Sequence, residues 1–323
     1  MKSRSKIVVI SDYRDAHIDF VQRHLDKQVY LLDPGAIVKG DDLSYYYGPD
    51  RKNLLVLHKG QELTDVDAVW YRKPVPYEFF DLPLDDTYRE YSIDALTRHR
   101  DVLYSTFKDA FWVSSVNAVR CASVKPVQLE VASKIGFSVP ETLVTSSPRQ
   151  AEEFVRRHKA CIAKPISVKF PKGRALLAKL VTADQKLDYR GLVLDPMIFQ
   201  EFIEPAAELR ITVVGDKEFA ATVSGENADG VNSHFRDWRT GGFDDTFAAA
   251  KYRLSVRLKR QCIELVKSYN LQFGAIDLIV DKRGRAWFLE INPNGQWAFI
   301  EEETGQPIGK AIAELLTFGR PSK

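Results

Sequence analysis

The chain has 323 residues, 45% of them hydrophobic and 28% charged, enough to enclose a sizeable core in two or three subdomains. Its 46 Lys and Arg against 44 Asp and Glu leave a net charge of +2 with both signs mixed along the chain, which argues against a nucleic-acid or membrane surface. No apolar run reaches the length of a membrane span, and Met1-Lys2-Ser3-Arg4-Ser5-Lys6 leads into a short strand rather than a signal-peptide core, so the expectation is a cytoplasmic protein with neither nucleic acid nor membrane as partner.

Residues 7–10 form the first apolar run, followed by a helix-like stretch rich in His and Asp; 29–32, 54–57, 68–71 and 111–113 are further runs of the same kind. Short buried strands between helical patterns point to an α/β class with a mostly parallel layer. Near residue 118 the pattern changes. Val127, Val131 and Ile135 recur at four-residue spacing ahead of Gly136, which predicts a helix from Ser123 that stops at the glycine. Ser147-Pro148-Arg149-Gln150 is a capping box with proline at the first helical position and opens a helix through His158. Strands follow at 162–164 and 175–180. The last third reads as a helix around Leu254, Leu258, Leu265, Val266 and Tyr269, then a hairpin, then a short helix around Ile308, Ile312, Leu315 and Leu316. Cys121, Cys161 and Cys262 stand far apart in apolar surroundings, a pattern of buried thiols rather than a disulfide framework or a zinc site.

The hairpin carries the chemistry. Two β-branched apolar runs flank the turn Asp281-Lys282-Arg283-Gly284. If Val280 pairs with Arg285, Asp277 lies opposite Phe288 and diagonal to Glu290, with Asn292 one step further along the same face. Ile276, Leu278, Val280, Trp287, Leu289 and Ile291 then fall on the other face. Asp, Glu and Asn are poor strand formers, so their convergence on one face needs a reason. Two carboxylates and an amide oxygen suit a hard cation, and Mg²⁺ is the expected one. Both acids are expected on a solvent-accessible face, where their removal would spare the fold.

An anion is the natural partner of such a cation. Lys125 opens a helix and Lys164 ends a buried strand, where a lysine is costly to bury without an anion beside it. Lys169 or Lys172, in the basic turn from Ile166 to Arg174, can fold over phosphates. The extended segment from Phe199 to Gly215 can offer backbone groups to an adenine edge, Glu208 can accept from ribose hydroxyls, and Arg210, on the same strand face, can offset charge on a transferred phosphoryl group. The chain contains no Walker A loop, no G-x-G-x-x-G, no G-x-S-x-G and no H-E-x-x-H spacing. Arg72 and Lys73 end a strand of the first unit, where ligands of open α/β sheets bind, and could meet an acidic peptide. Arg236 and Arg239 are candidates for a substrate carboxylate, and His234, Asp237 and Arg239 for a base.

In this order the residues resemble the ATP-grasp superfamily of carboxylate–amine ligases over about residues 119 to 305. More narrowly, Val69-Trp70-Tyr71-Arg72-Lys73-Pro74 and Leu289-Glu290-Ile291-Asn292-Pro293-Asn294-Gly295-Gln296-Trp297 are similar to the microviridin-type (graspetide) peptide maturases. The resemblance implies a parallel-sheet pre-ATP-grasp domain (1–118), a central ATP-grasp subdomain (119–200) and a C-terminal ATP-grasp subdomain with the metal site (201–323). It also implies an ATP- and Mg²⁺-dependent ligase that activates Asp or Glu side chains of a ribosomal precursor peptide, leader plus core, as acyl phosphates and closes esters with Thr or Ser or amides with Lys. By the same carry-over Lys125 and Lys164 hold phosphates, Gln200, Glu201, Phe202, Ile203 and Glu208 hold adenosine, and Asp277, Glu290 and Asn292 bind magnesium; leader docking falls around 170–195. The alternatives are a ligase for a free amino acid or short peptide and a non-catalytic ATP-binding regulator. A homodimer stays open.

Overall fold

Short apolar runs build the first unit of the computed structural model, which describes residues 6–50, 52–166, 178–225 and 247–319. In chain order these are β1 (Ile7–Ile10), α1 (His17–Gln22), β2 (Tyr30–Leu32), β3 (Leu43–Tyr46), β4 (Leu55–His58), β5 (Gln61–Leu63), β6 (Ala68–Tyr71), α2 (Asp86–Thr106) and β7 (Phe111–Val113). β2, β1, β6 and β7 pair in that order and all in parallel. The run expected to join them at 54–57 lies instead in a separate antiparallel sheet of β3, β4 and β5. His58 pairs with Gln61 across Lys59 and Gly60, both at positive φ, and this two-residue hairpin closes the strand locally before it can cross over to the parallel layer. Side chains alternate about the parallel sheet: Val8, Ile10 and Val69 pack against Leu103 of α2 and Val56 of the small sheet, whereas Ile7, Val9 and Trp70 face the other way.

The central unit comprises α3 (Val116–Ala122), α4 (Lys125–Ile135), β8 (Thr142–Thr145), α5 (Pro148–His158), β9 (Ala160–Pro165), β10 (Lys179–Thr182) and β11 (Met197–Glu201). Gly136 ends α4 in the left-handed region at φ 96, as expected of a glycine past the last helical turn. The fully buried positions of α4 are Gln128 and Ala132, and Val127 is exposed. Ser147 caps α5 by accepting from the Gln150 N–H, and Ala151, Phe154 and Val155 fold that helix onto the four-stranded sheet β10-β9-β11-β8.

The last unit is β12 (Pro205–Val214), β13 (Lys217–Gly225), β14 (Phe247–Lys251), α6 (Val256–Ser268), β15 (Phe273–Asp281), β16 (Ala286–Asn292), α7 (Ala298–Thr304) and α8 (Ile308–Phe318). Its antiparallel sheet runs β14-β13-β12-β15-β16. Ala132 of α4 and Leu265 and Val266 of α6 cover one face, packing on Ile211, Ile276, Leu278 and Phe288. Ile308, Ile312 and Leu316 of α8 share a core with Ile7, Val9, Trp70 and Phe111, so the end of the chain completes the first sheet. Cys161 and Cys262 are buried, but Cys121 is exposed because it lies on the outer side of α3. No helix among the described residues is long and apolar enough to cross a membrane.

Candidate functional site

The turn of the hairpin is built by Asp281, whose Oδ1 accepts from the N–H groups of Arg283 and Arg285, both at 2.9 Å, with Gly284 at φ 77 closing the bend. The register differs from the expected one. Val280 pairs with Ala286 and Leu278 with Phe288; Leu289 is then bulged out, and Asp277 stands directly opposite Glu290 with Ala275 opposite Asn292. The extra residue resets the two-residue alternation. Phe288 therefore turns into the core in place of Trp287 and Leu289, whereas Glu290 and Asn292 still share a face with Asp277. Trp287 instead donates its indole N–H to Asp281.

β12 lies beside β15 in the middle of the sheet, with Arg210 opposite Asp277. The Arg210 guanidinium meets Asp277 Oδ1 at 2.8 Å, and Lys125, at the first turn of α4, meets Glu290 Oε2 at 3.1 Å. A row of charges thus crosses three strands: Arg210, Asp277, Glu290, Lys125. Arg210 and Glu290 are buried and Asp277 is largely covered, contrary to the expectation that both acids are open to solvent, because each carboxylate is roofed by its cation. Glu208, two residues before Arg210, has its carboxyl pushed up to about 7, first by burial and then by the neighbouring charge of Asp277. Asn292 Oδ1 accepts from the Asn294 N–H at 3.0 Å, which orients the amide and leaves the oxygen a second lone pair.

Three carboxyl groups face two cations here, and a further positive charge would let Glu208 ionise. Among the described residues no group of three or more Asp, Glu, His or Cys is placed to cage a metal. A cation in this row would draw on two carboxylates and an amide and complete its shell elsewhere. That is the manner of Mg²⁺, which takes one or two carboxylates, substrate phosphates and water, so the donor set fits.

Lys164 and Gln200 meet in the central sheet, Lys164 Nζ donating to Gln200 Oε1 at 3.2 Å and Gln200 Nε2 to Thr142 Oγ1 at 2.9 Å. Past them the backbone N–H of Glu201 donates to Glu141 O, and Phe202 and Ile203 are half-buried on the way into β12. The expected nucleotide contacts therefore lie on two sheets joined by this short connection. Lys169, Lys172, His234, Arg236, Asp237 and Arg239 lie outside the described residues.

Arg72 is not a surface contact. It is 2% exposed; it donates to Asn294 O at 2.5 Å and to Gln296 Oε1 at 3.5 Å, and its Nε stands 3.4 Å from Asp15 Oδ2. Asp15 also meets His17 Nδ1 at 2.7 Å, and His17 Nε2 accepts from the N–H groups of Trp297 and Ala298 at 3.3 and 3.4 Å. These three residues tie the end of the first sheet to the chain leaving β16. Gly295 lets that chain pass, since a Cβ there would collide with that of Ala275. The sequence marks Asp15 and His17 by nothing sharper than the His- and Asp-rich stretch after β1.

A family model described as the RimK-like ATP-grasp domain matches residues 122–316. None of the curated proteins matches the chain. Among solved structures the chain is similar to macrocyclase MdnC from Microcystis aeruginosa MRC bound with precursor peptide MdnA, at 28% identity and TM-score 0.82 over 97% of this chain and 99% of that one. It is also similar to a RiPP-associated ATP-grasp ligase of Chryseobacterium gregarium in complex with ADP and a leader and core peptide, at 27% identity and TM-score 0.80 over 98% and 96%. Macrocyclase MdnB from the same Microcystis matches at 25% identity and TM-score 0.79 over 98% and 100%.

Proposed function

Because the chain belongs to the RimK-like ATP-grasp family and is thereby an ATP-grasp ligase, we propose that it closes rings in a ribosomally made precursor peptide. The observation that carries the reading is the likeness to a macrocyclase over the full length of both chains, the first unit included, where the family model alone covers only residues 122–316. The γ-phosphoryl group of ATP passes to an Asp or Glu side chain of the peptide, giving an acyl phosphate and ADP. A Thr or Ser hydroxyl or a Lys amine then attacks the acyl carbon, phosphate leaves, and an ester or amide remains. The net change is loss of one water from the peptide per ring.

Such a transfer depends chiefly on placing the reactants and offsetting charge, and no protein nucleophile is needed. Lys125 and Lys164 are assigned to the phosphates, Gln200, Glu201, Phe202, Ile203 and Glu208 to the adenosine, and Arg210 to charge developing on the transferred group. Asp277, Glu290 and Asn292 would hold Mg²⁺, which when bound supplies charge neutralisation at the phosphates. Arg210 and Lys125 then do two things: they keep the two carboxylates ionised and oriented, and they lend positive charge to the polyphosphate side of the site. The division at 118 and 200 belongs to the same proposal, with α8 of the third unit docked on the first.

The test is to incubate the protein with ATP, Mg²⁺ and the small Thr-, Ser-, Asp- and Glu-rich peptide encoded beside it, and to follow mass. Loss of one water per ring with matching ADP release is expected. ADP release driven by free amino acids, with the peptide mass unchanged, would replace this reading with a free-amino-acid ligase.

A further inference from the structure

β16 is the outer strand of its sheet, so the backbone groups on its free edge need partners from elsewhere. The loop after α4 supplies one, Ser138 O accepting from the Phe288 N–H at 2.8 Å. The next is supplied by a side chain. Gln128 is 1% exposed; its Oε1 accepts from the Ile291 N–H at 3.0 Å, while its Nε2 donates to Ile291 O at 2.9 Å and to Ala122 O at 2.5 Å. One primary amide thereby does what a residue of a sixth strand would do, giving and taking a hydrogen bond at a single edge residue.

The residue it grips is the one between Glu290 and Asn292. Ile291 points into the core, so its two neighbours point to the charged face, and fixing its N–H and C=O fixes the pleat that aims both of them. Gln128 also lies one helical turn beyond Lys125, the residue paired with Glu290, so α4 grips the strand twice: once through backbone at Ile291 and once through charge at Glu290. The other two strands of the charged row need no such grip, since β12 and β15 have strands on both sides.

We propose that Gln128 is a positioning residue for the metal-binding face, setting the spacing of Glu290 and Asn292 from Asp277 and Lys125 through the backbone of Ile291. The proposal rests on the reading of that face as an Mg²⁺ site. It separates holding the ligands from being one, because the Gln128 amide is spent on backbone groups at the edge of the strand.

The test uses the full chain and three variants. Gln128→Met keeps the length of the side chain and removes both hydrogen-bonding functions; Gln128→Glu keeps an acceptor for the Ile291 N–H and loses the donor when ionised. Ala132→Gly loosens the same helix without removing a hydrogen bond to β16 and controls for general destabilisation. Hydrogen exchange of the Ile291 amide in the nucleotide-free protein reads the grip directly, and the Mg²⁺ concentration giving half-maximal ATP turnover with peptide reads its consequence. In Gln128→Met, Ile291 is expected to exchange faster than the rest of β16, and the Mg²⁺ requirement to rise about tenfold with turnover at saturating Mg²⁺ nearly unchanged. Gln128→Glu should fall between, and Ala132→Gly should lower the melting temperature while leaving both readouts near wild type.

An Ile291 amide that stays protected in Gln128→Met would overturn the grip. Faster exchange with an unchanged Mg²⁺ requirement, or an equal rise in Ala132→Gly, would reduce Gln128 to ordinary stabilisation and overturn the proposal. Wild-type turnover indifferent to Mg²⁺ would bring down the site reading beneath it, an outcome recognisable before any variant is made.

Discussion

Two buried charge clusters sit on either side of the segment from Asn292 to Ala298, and they are finished to different degrees. On the first-unit side, Arg72 meets Asp15 and two neutral oxygens, while His17, whose pKa burial pushes down, stays neutral between the Asp15 carboxylate and two backbone N–H groups. The Asp15 carboxylate there is answered within the protein by the Arg72 guanidinium and the His17 imidazole. On the sheet side, Glu208, Asp277 and Glu290 face Arg210 and Lys125, and the excess shows in a Glu208 carboxyl that ionises only near 7. A closed cluster of this kind stabilises a docked geometry; one left a positive charge short is prepared for a ligand.

The comparison breaks first at Arg72. Arg72→Ala leaves Asp15 buried beside an emptied cavity and should cost about 3–5 kcal/mol in denaturant unfolding, the range for removing one partner of a buried ion pair. A loss below about 1 kcal/mol would show that the tie is dispensable. Asp277 ranks next and should separate stability from activity. Asp277→Ala strands the buried Arg210 and should lose about 3 kcal/mol together with turnover. Asp277→Asn keeps an acceptor for Arg210, so it should lose about 1 kcal/mol yet still lower ATP turnover about 100-fold or more. Equal stability losses in the two variants would mean that Arg210 does not depend on this side chain.

The smallest effect is in pH dependence, and the two clusters should respond with opposite signs. Glu208 is raised from 4.5 to about 7, so the folded state holds its proton longer than the unfolded chain does. Its contribution is present below about pH 4.5 and is lost as pH rises through about 7. Glu208→Gln should flatten that decline in a series of thermal melts. His17 is shifted the other way, below 6.5, and its contribution is present above that value and lost as pH falls through the lowered one. His17→Gln should remove that acid-side loss. Identical pH profiles for wild type and Glu208→Gln would show that Glu208 carries no surplus proton.

The residues of the charged row were legible in the sequence because Asp, Glu and Asn on strands contradict their own propensities. Their register was not. Trp287, Leu289 and Ile291 alternate so smoothly that nothing betrays the bulge at Leu289, and only packing decides that Phe288 is the buried ring. Caps told truly where they act locally, as with Ser147 and Gly136. α2 leaves no trace in the apolar pattern because Leu103 is its one fully buried residue, and β4 reads as a strand of the parallel layer because Lys59-Gly60 is a weaker hairpin signal than Asn-Gly. Arg72 shows the deepest limit. Its acceptor at Asn294 lies 222 residues along the chain, and no local pattern distinguishes such an arginine from one at the surface.

The most direct measurement is a crystal structure of the protein with a non-hydrolysable ATP analogue and Mn²⁺ in place of Mg²⁺, with the metal located by its anomalous signal. The expected result is a Mn²⁺ peak at Asp277, Glu290 and Asn292, with the nucleotide phosphates beside it and near Lys125 and Lys164. A metal bound elsewhere, or nucleotide seated away from β15 and β16, would contradict it.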